Sequence, residues 1–68
     1  MKLNVGDTVG LFFDRMCQFK VTKVGKKTFT GVCTEAGSDS QLIVVGQEYG
    51  QIPIRQVICN LTSGHWNT

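Results

Sequence analysis

Sixty-eight residues, 41% of them apolar and 18% charged, describe a single folded domain and exclude a disordered chain. A net charge of +2 is too weak to imply a nucleic-acid partner by itself. The three cysteines, Cys17, Cys33 and Cys59, are widely spaced with no C-x-x-C and a single distant histidine, which points away from both a disulfide scaffold and a zinc site.

Val5-Gly6-Asp7-Thr8-Val9 is a turn feeding a first strand that runs to Phe13. Period-2 alternation puts Val9, Leu11 and Phe13 on one face and Thr8, Gly10 and Phe12 on the other, so Phe12 is a large ring on the solvent side. Asp14 to Cys17 reads as a loop. Gln18 to Val24 alternates Phe19 and Val21 with Lys20 and Thr22, a half-buried strand. A helix through Leu11, Phe12, Arg15, Met16 and Phe19 is the alternative, disfavoured by the β-branched residues beyond Phe19 and by the lack of a cap.

Gly25-Lys26-Lys27 is a hairpin tip, and Thr28 to Thr34 the returning strand, with Gly31 marking a bend or bulge. Glu35 to Ser40 is a polar loop, and Gln41 to Val45 an apolar run expected as a buried strand. Gly46-Gln47-Glu48 turns into the stretch from Tyr49 to Leu61. There a strand ends at Ile52, and Pro53 removes a donor and fixes φ. A short turn leads to a last apolar run from Val57. The expected organisation is one domain over residues 1–62 and a polar tail over 63–68.

Five short strands with turn signals between them make an all-β fold, expected as a five-stranded small barrel with a 3-10 turn before the last strand. Gly50-Gln51-Ile52-Pro53-Ile54-Arg55-Gln56-Val57 resembles the Gly-x-Ile-Pro-x-x-x-Val segment of SH3 domains. Val5-Gly6-Asp7-Thr8-Val9 is similar to the first strand of bacterial SH3-like and KOW-type barrels. Phe29-x-Gly31, followed by the run from Leu42 and by Ile52-Pro53, is also similar to the Sm-like pattern. The resemblance implies a fold shared by many functions. It does not extend to proline-rich peptide binding, because the paired tryptophans and acidic first loop of that class are absent.

Five of the seven cations, Arg15, Lys20, Lys23, Lys26 and Lys27, fall within thirteen positions. On a strand and its hairpin tip, beside an exposed ring such as Phe12 or Tyr49, they suit a phosphate backbone with a base stacked alongside. The leading expectation is therefore a small nucleic-acid-binding regulator, of DNA or RNA. The alternative is a protein-binding inhibitor or adaptor that docks through Phe12, Tyr49 and Trp66, or through a free strand edge, with a second copy as one possible partner. No enzyme is expected, because His65 is the only histidine and the acids, Asp7, Asp14, Glu35, Asp39 and Glu48, fall in turns, loops and strand ends. No cofactor or metal is expected. With no signal-length or membrane-spanning apolar run, the expected compartment is the cytoplasm.

Overall fold

Alternation along the first two strands sets the architecture. Strand β1 (Thr8–Phe13) and strand β2 (Arg15–Val24) form an antiparallel hairpin in the register Val9↔Phe19, Leu11↔Cys17 and Phe12↔Met16. Val9, Leu11, Cys17, Phe19 and Val21 point inward and are essentially fully buried. Cross-strand partners share a face, so Gly10, Phe12, Met16, Gln18 and Lys20 take the opposite one. The molecule is seen in a computed structural model that describes residues 2–13, 15–36 and 43–66, with the side chains of Phe13 and Arg15 left aside.

Strand β3 (Thr28–Glu35) returns along β2, and strand β4 (Glu48–Pro53) pairs with β3. A 3-10 turn (Ile54–Gln56) leads to strand β5 (Val57–Asn60), which pairs with β1, and to the two-residue strand β6 (His65–Trp66) on the edge of β5. The result is one antiparallel sheet in the order β4-β3-β2-β1-β5-β6. β4 and β5 are consecutive in the chain, yet three strands lie between them in the sheet. A flat sheet would separate them by about 19 Å, four strand spacings. Three residues of 3-10 turn advance only about 6 Å. The sheet must therefore curl until its two sides approach, and its inner face becomes the core.

Two features permit the curl. Gly31 lies where the β2–β3 and β3–β4 registers both shift, as the bend expected there requires. A methyl group on Gly31 would stand 2.9 Å from the Lys20 carbonyl oxygen, so only glycine lets β2 and β3 approach this closely. β4 covers the other side of β3. Tyr49, the cross-strand partner of Gly31, lays its ring edge-on against Phe19 at 5.9 Å and 79°.

Several expectations are corrected. The helix alternative is overturned, since Leu11 to Phe19 is strand wherever described. Met16 and Cys17 belong to β2 and not to a loop, because the β1–β2 turn is tight enough to pair Phe13 with Arg15; Asp14 itself lies outside the described residues. The apolar run at Gln41–Val45 is not a strand where it is described, over 43–45. The edge of β3 at Cys33 is occupied instead by Gly46 N–H, which donates to Cys33 O at 2.7 Å, and by Gln47 O, which accepts from Cys33 N–H at 3.0 Å. Gln41, Leu42 and the loop residues 37–40, Asp39 among them, lie outside the described residues. The sheet has six strands and not five, and His65 and Trp66 of the expected tail form one of them by pairing with Asn60 and Cys59. All three cysteines are buried and none is in a disulfide, consistent with small apolar side chains. No helix among the described residues is long and apolar enough to cross a membrane.

Candidate binding face

The outer face of the β1–β2 hairpin carries most of the residues singled out in the sequence. Along β2 the outward positions run Met16, Gln18, Lys20 and, beyond the register shift at Val21/Lys23, Lys23. Lys26 and Lys27 continue this strip at the hairpin tip, closed by Gly25 N–H donating to Thr28 O at 2.8 Å. From Met16 to Lys23 is roughly 23 Å at strand rise. Lys20, Lys23, Lys26 and Lys27 are all exposed, and none has an ion-pair partner among the described residues. Arg15 opens β2 at the far end of the strand from the tip, so its backbone stands apart from the four lysines.

The end of this face away from the tip is apolar. Phe12 is 57% exposed, its cross-strand neighbour Met16 55%, Leu61 48% and Trp66 69%. Beside Phe12 lies a groove of about 320 Å³, lined by the buried Gly10 and Cys59 and by Met16, Gln18, Leu61 and Trp66. Glu35 and Ala36 complete its wall. Gly10 lets β1 and β5 pack closely beneath the groove, since a methyl group there would stand 3.2 Å from Cys59 Sγ.

A polar latch holds the Trp66 side of the groove in place. Asn60, 1% exposed, donates from Nδ2 to Asp7 Oδ2 at 2.9 Å. Its Oδ1 accepts from the backbone N–H groups of Thr62 (3.0 Å) and Ser63 (3.1 Å). Thr8 N–H donates to Thr62 Oγ1 at 2.8 Å, and Leu61 N–H to Thr8 O at 2.8 Å. The start of β1 and the turn before β6 are thereby fastened together. Buried polar atoms left unpaired would cost about 1–3 kcal/mol each, and here they are satisfied.

The candidate residues thus divide. Phe12 and Trp66 lie on the same face as Lys20 and Lys23, at its apolar end. Tyr49 does not join them. Its ring packs against the core, and its hydroxyl accepts a hydrogen bond from Val44 N–H at 2.9 Å, so the expectation that the core has no use for Tyr49 is corrected. Three groups escape the sequence reading. Met16 and Leu61 flank the groove, each having appeared as loop or strand filler. Arg55 is brought toward the basic tip because Ile54 N–H donates to Lys27 O at 2.9 Å. Only the three-dimensional path of the 3-10 turn reveals that proximity.

Two acids border the strip. Glu48, on the outer edge of β4, accepts from Thr22 Oγ1 at 3.3 Å, and Glu35 is the cross-strand partner of Gln18. The positive potential is therefore concentrated toward the tip. Among the described residues no cluster of three or more His, Cys, Asp or Glu could hold a metal ion. No family model, curated protein or solved structure matches the chain.

Proposed function

We propose that this chain is a non-enzymatic module that binds single-stranded nucleic acid through the outer face of β1 and β2, acting as a small cytoplasmic regulator. The observation that carries the reading is the continuity of one strand face. Exposed rings stand at one end, at Phe12 and Trp66, and exposed lysines at the other, at Lys20, Lys23, Lys26 and Lys27. A single strand presents both complementary groups, phosphates for the lysines and base faces for the rings. A duplex hides its base faces, so rings at this position favour the single strand. The curled sheet, with its 3-10 turn between β4 and β5, supports a small barrel of the SH3-like or Sm-like kind as the scaffold.

Titration with single-stranded and duplex oligonucleotides at two salt concentrations tests the reading. Single strands are expected to bind more tightly, with affinity falling steeply as salt rises. Charge reversal at Lys23, Lys26 and Lys27 should flatten that slope. Binding that is absent or indifferent to salt removes the proposal.

A second reading rests on the apolar end alone. Phe12, Met16, Leu61 and Trp66 form an exposed cluster of the kind that docks a protein or a second copy of the chain. Under that reading Phe12→Ala and Trp66→Ala abolish self-association or protein capture and leave oligonucleotide binding unchanged.

A further inference from the structure

The groove at the apolar end differs from a plain stacking platform in one respect. Its wall carries a carboxylate, Glu35, beside a carboxamide, Gln18, on a face that otherwise attracts phosphate. Neither side chain has a hydrogen-bond partner among the described residues. At about 320 Å³ the groove is at the low end of the range for small-molecule sites, about 300–1,000 Å³. Gly10 contributes no side chain to its lining, and the indole of Trp66 and the thioether of Met16 border it. A flat aromatic ring with polar edges fits this description better than an aliphatic side chain does.

We infer that the groove over Gly10 is a base-reading pocket selective for guanine within a single strand, an inference that rests on the function proposed above. A carboxylate only accepts hydrogen bonds. Guanine alone among the DNA and RNA bases offers it two adjacent donors on the Watson–Crick edge, N1–H and the N2 amino group. Adenine and cytosine offer one amino group each, and uracil and thymine a single ring N–H. Gln18, able to donate as well as accept, stands beside Glu35 to meet the O6 side of the same edge. Glu35 repels the phosphates, which keeps the backbone of the strand on the lysine side. The charges on this face are thus arranged for a base at one end and its 3′ or 5′ phosphates along the other.

Trp66 is the only tryptophan, so its fluorescence reports occupancy of the groove directly. The experiment uses oligothymidine strands of about ten nucleotides carrying one central guanine, adenine or cytosine, together with oligouridine RNA counterparts. The guanine strand should bind about tenfold more tightly than the unsubstituted one, in both DNA and RNA, as one bidentate base contact allows. Glu35→Gln should remove most of that preference while leaving the salt dependence intact. Equal affinity for all strands, with salt-dependent binding preserved, overturns the pocket and leaves the proposed function standing. A guanine preference that survives Glu35→Gln also overturns it. If no strand binds at any salt concentration, the pocket and the function fall together.

Discussion

The two faces of the β1–β2 hairpin are built from the same strands and meet opposite fates. Inward, Val9, Leu11 and Phe19 are wholly buried; outward, one residue along from Leu11, Phe12 is exposed to the extent of 57%. The chemistry of the side chains does not separate them, since both faces hold phenylalanine. Only the period of two does. Stability and binding are therefore carried by different residues of one hairpin, and the separation can be tested by substitutions a few positions apart. Phe19→Ala removes a buried ring that Tyr49 packs against and should cost about 3–5 kcal/mol in urea unfolding. That is most of the stability of a small domain. Phe12→Ala should change stability by no more than about 0.5 kcal/mol. It should instead weaken oligonucleotide binding by about 1–3 kcal/mol, the range for loss of one stacked base. If Phe12→Ala unfolds the domain as Phe19→Ala does, the ring belongs to the core and the division of labour collapses.

Asn60 sharpens the comparison, because it is an inner-face residue on which the outer-face groove depends. Asn60→Ala leaves the N–H groups of Thr62 and Ser63 without their acceptor and takes one donor from Asp7. The expected cost is about 1–3 kcal/mol of stability. Amide exchange should accelerate first at Leu61 to Trp66, ahead of β2 and β3. Nucleic-acid binding should weaken at constant salt slope, since Trp66 loses its position and the lysines keep theirs. Uniform acceleration across the whole sheet would mean that the latch serves global stability only.

What could be read from the sequence follows the same division. The faces of β1 and β2, the return of the chain along β3, the bend at Gly31 and the 3-10 turn after Pro53 were visible because each depends on local spacing or backbone chemistry. The run ending in Val44 and Val45 misled, because apolar composition suggests burial, while Gly46 and Gln47 take the only backbone partners available at Cys33. Tyr49 misled for a related reason. Its ring reaches Phe19 because it pairs with a residue eighteen positions earlier, Gly31, and no window of local sequence contains that information. The lysines on β2 and at its tip were apparent as a cluster. The groove was not, since Gly10, Met16, Cys59 and Trp66 come from four strands and meet only through the pairing of β1 with β5 and of β5 with β6.

The smallest expected effect separates the faces by pH instead of by substitution. Burial, reinforced by the neighbouring Cys17 thiol, pushes the Cys33 thiol above its ordinary range. The unfolded chain therefore releases this proton first as pH rises, and folding favours the protonated form. The stabilisation is complete below the ordinary thiol range, near pH 8.5, and is lost as pH climbs from there toward the folded-state value. The urea midpoint should accordingly decline between pH 7.5 and about 9.5, and Cys33→Val should flatten that decline. Raising salt at pH 7.5 should act the other way round, leaving the midpoint nearly fixed while oligonucleotide affinity falls, because the core is apolar and the strip holds solvated lysines. A midpoint that declines equally in Cys33→Val would show that the pH response arises elsewhere than in the buried thiol pair.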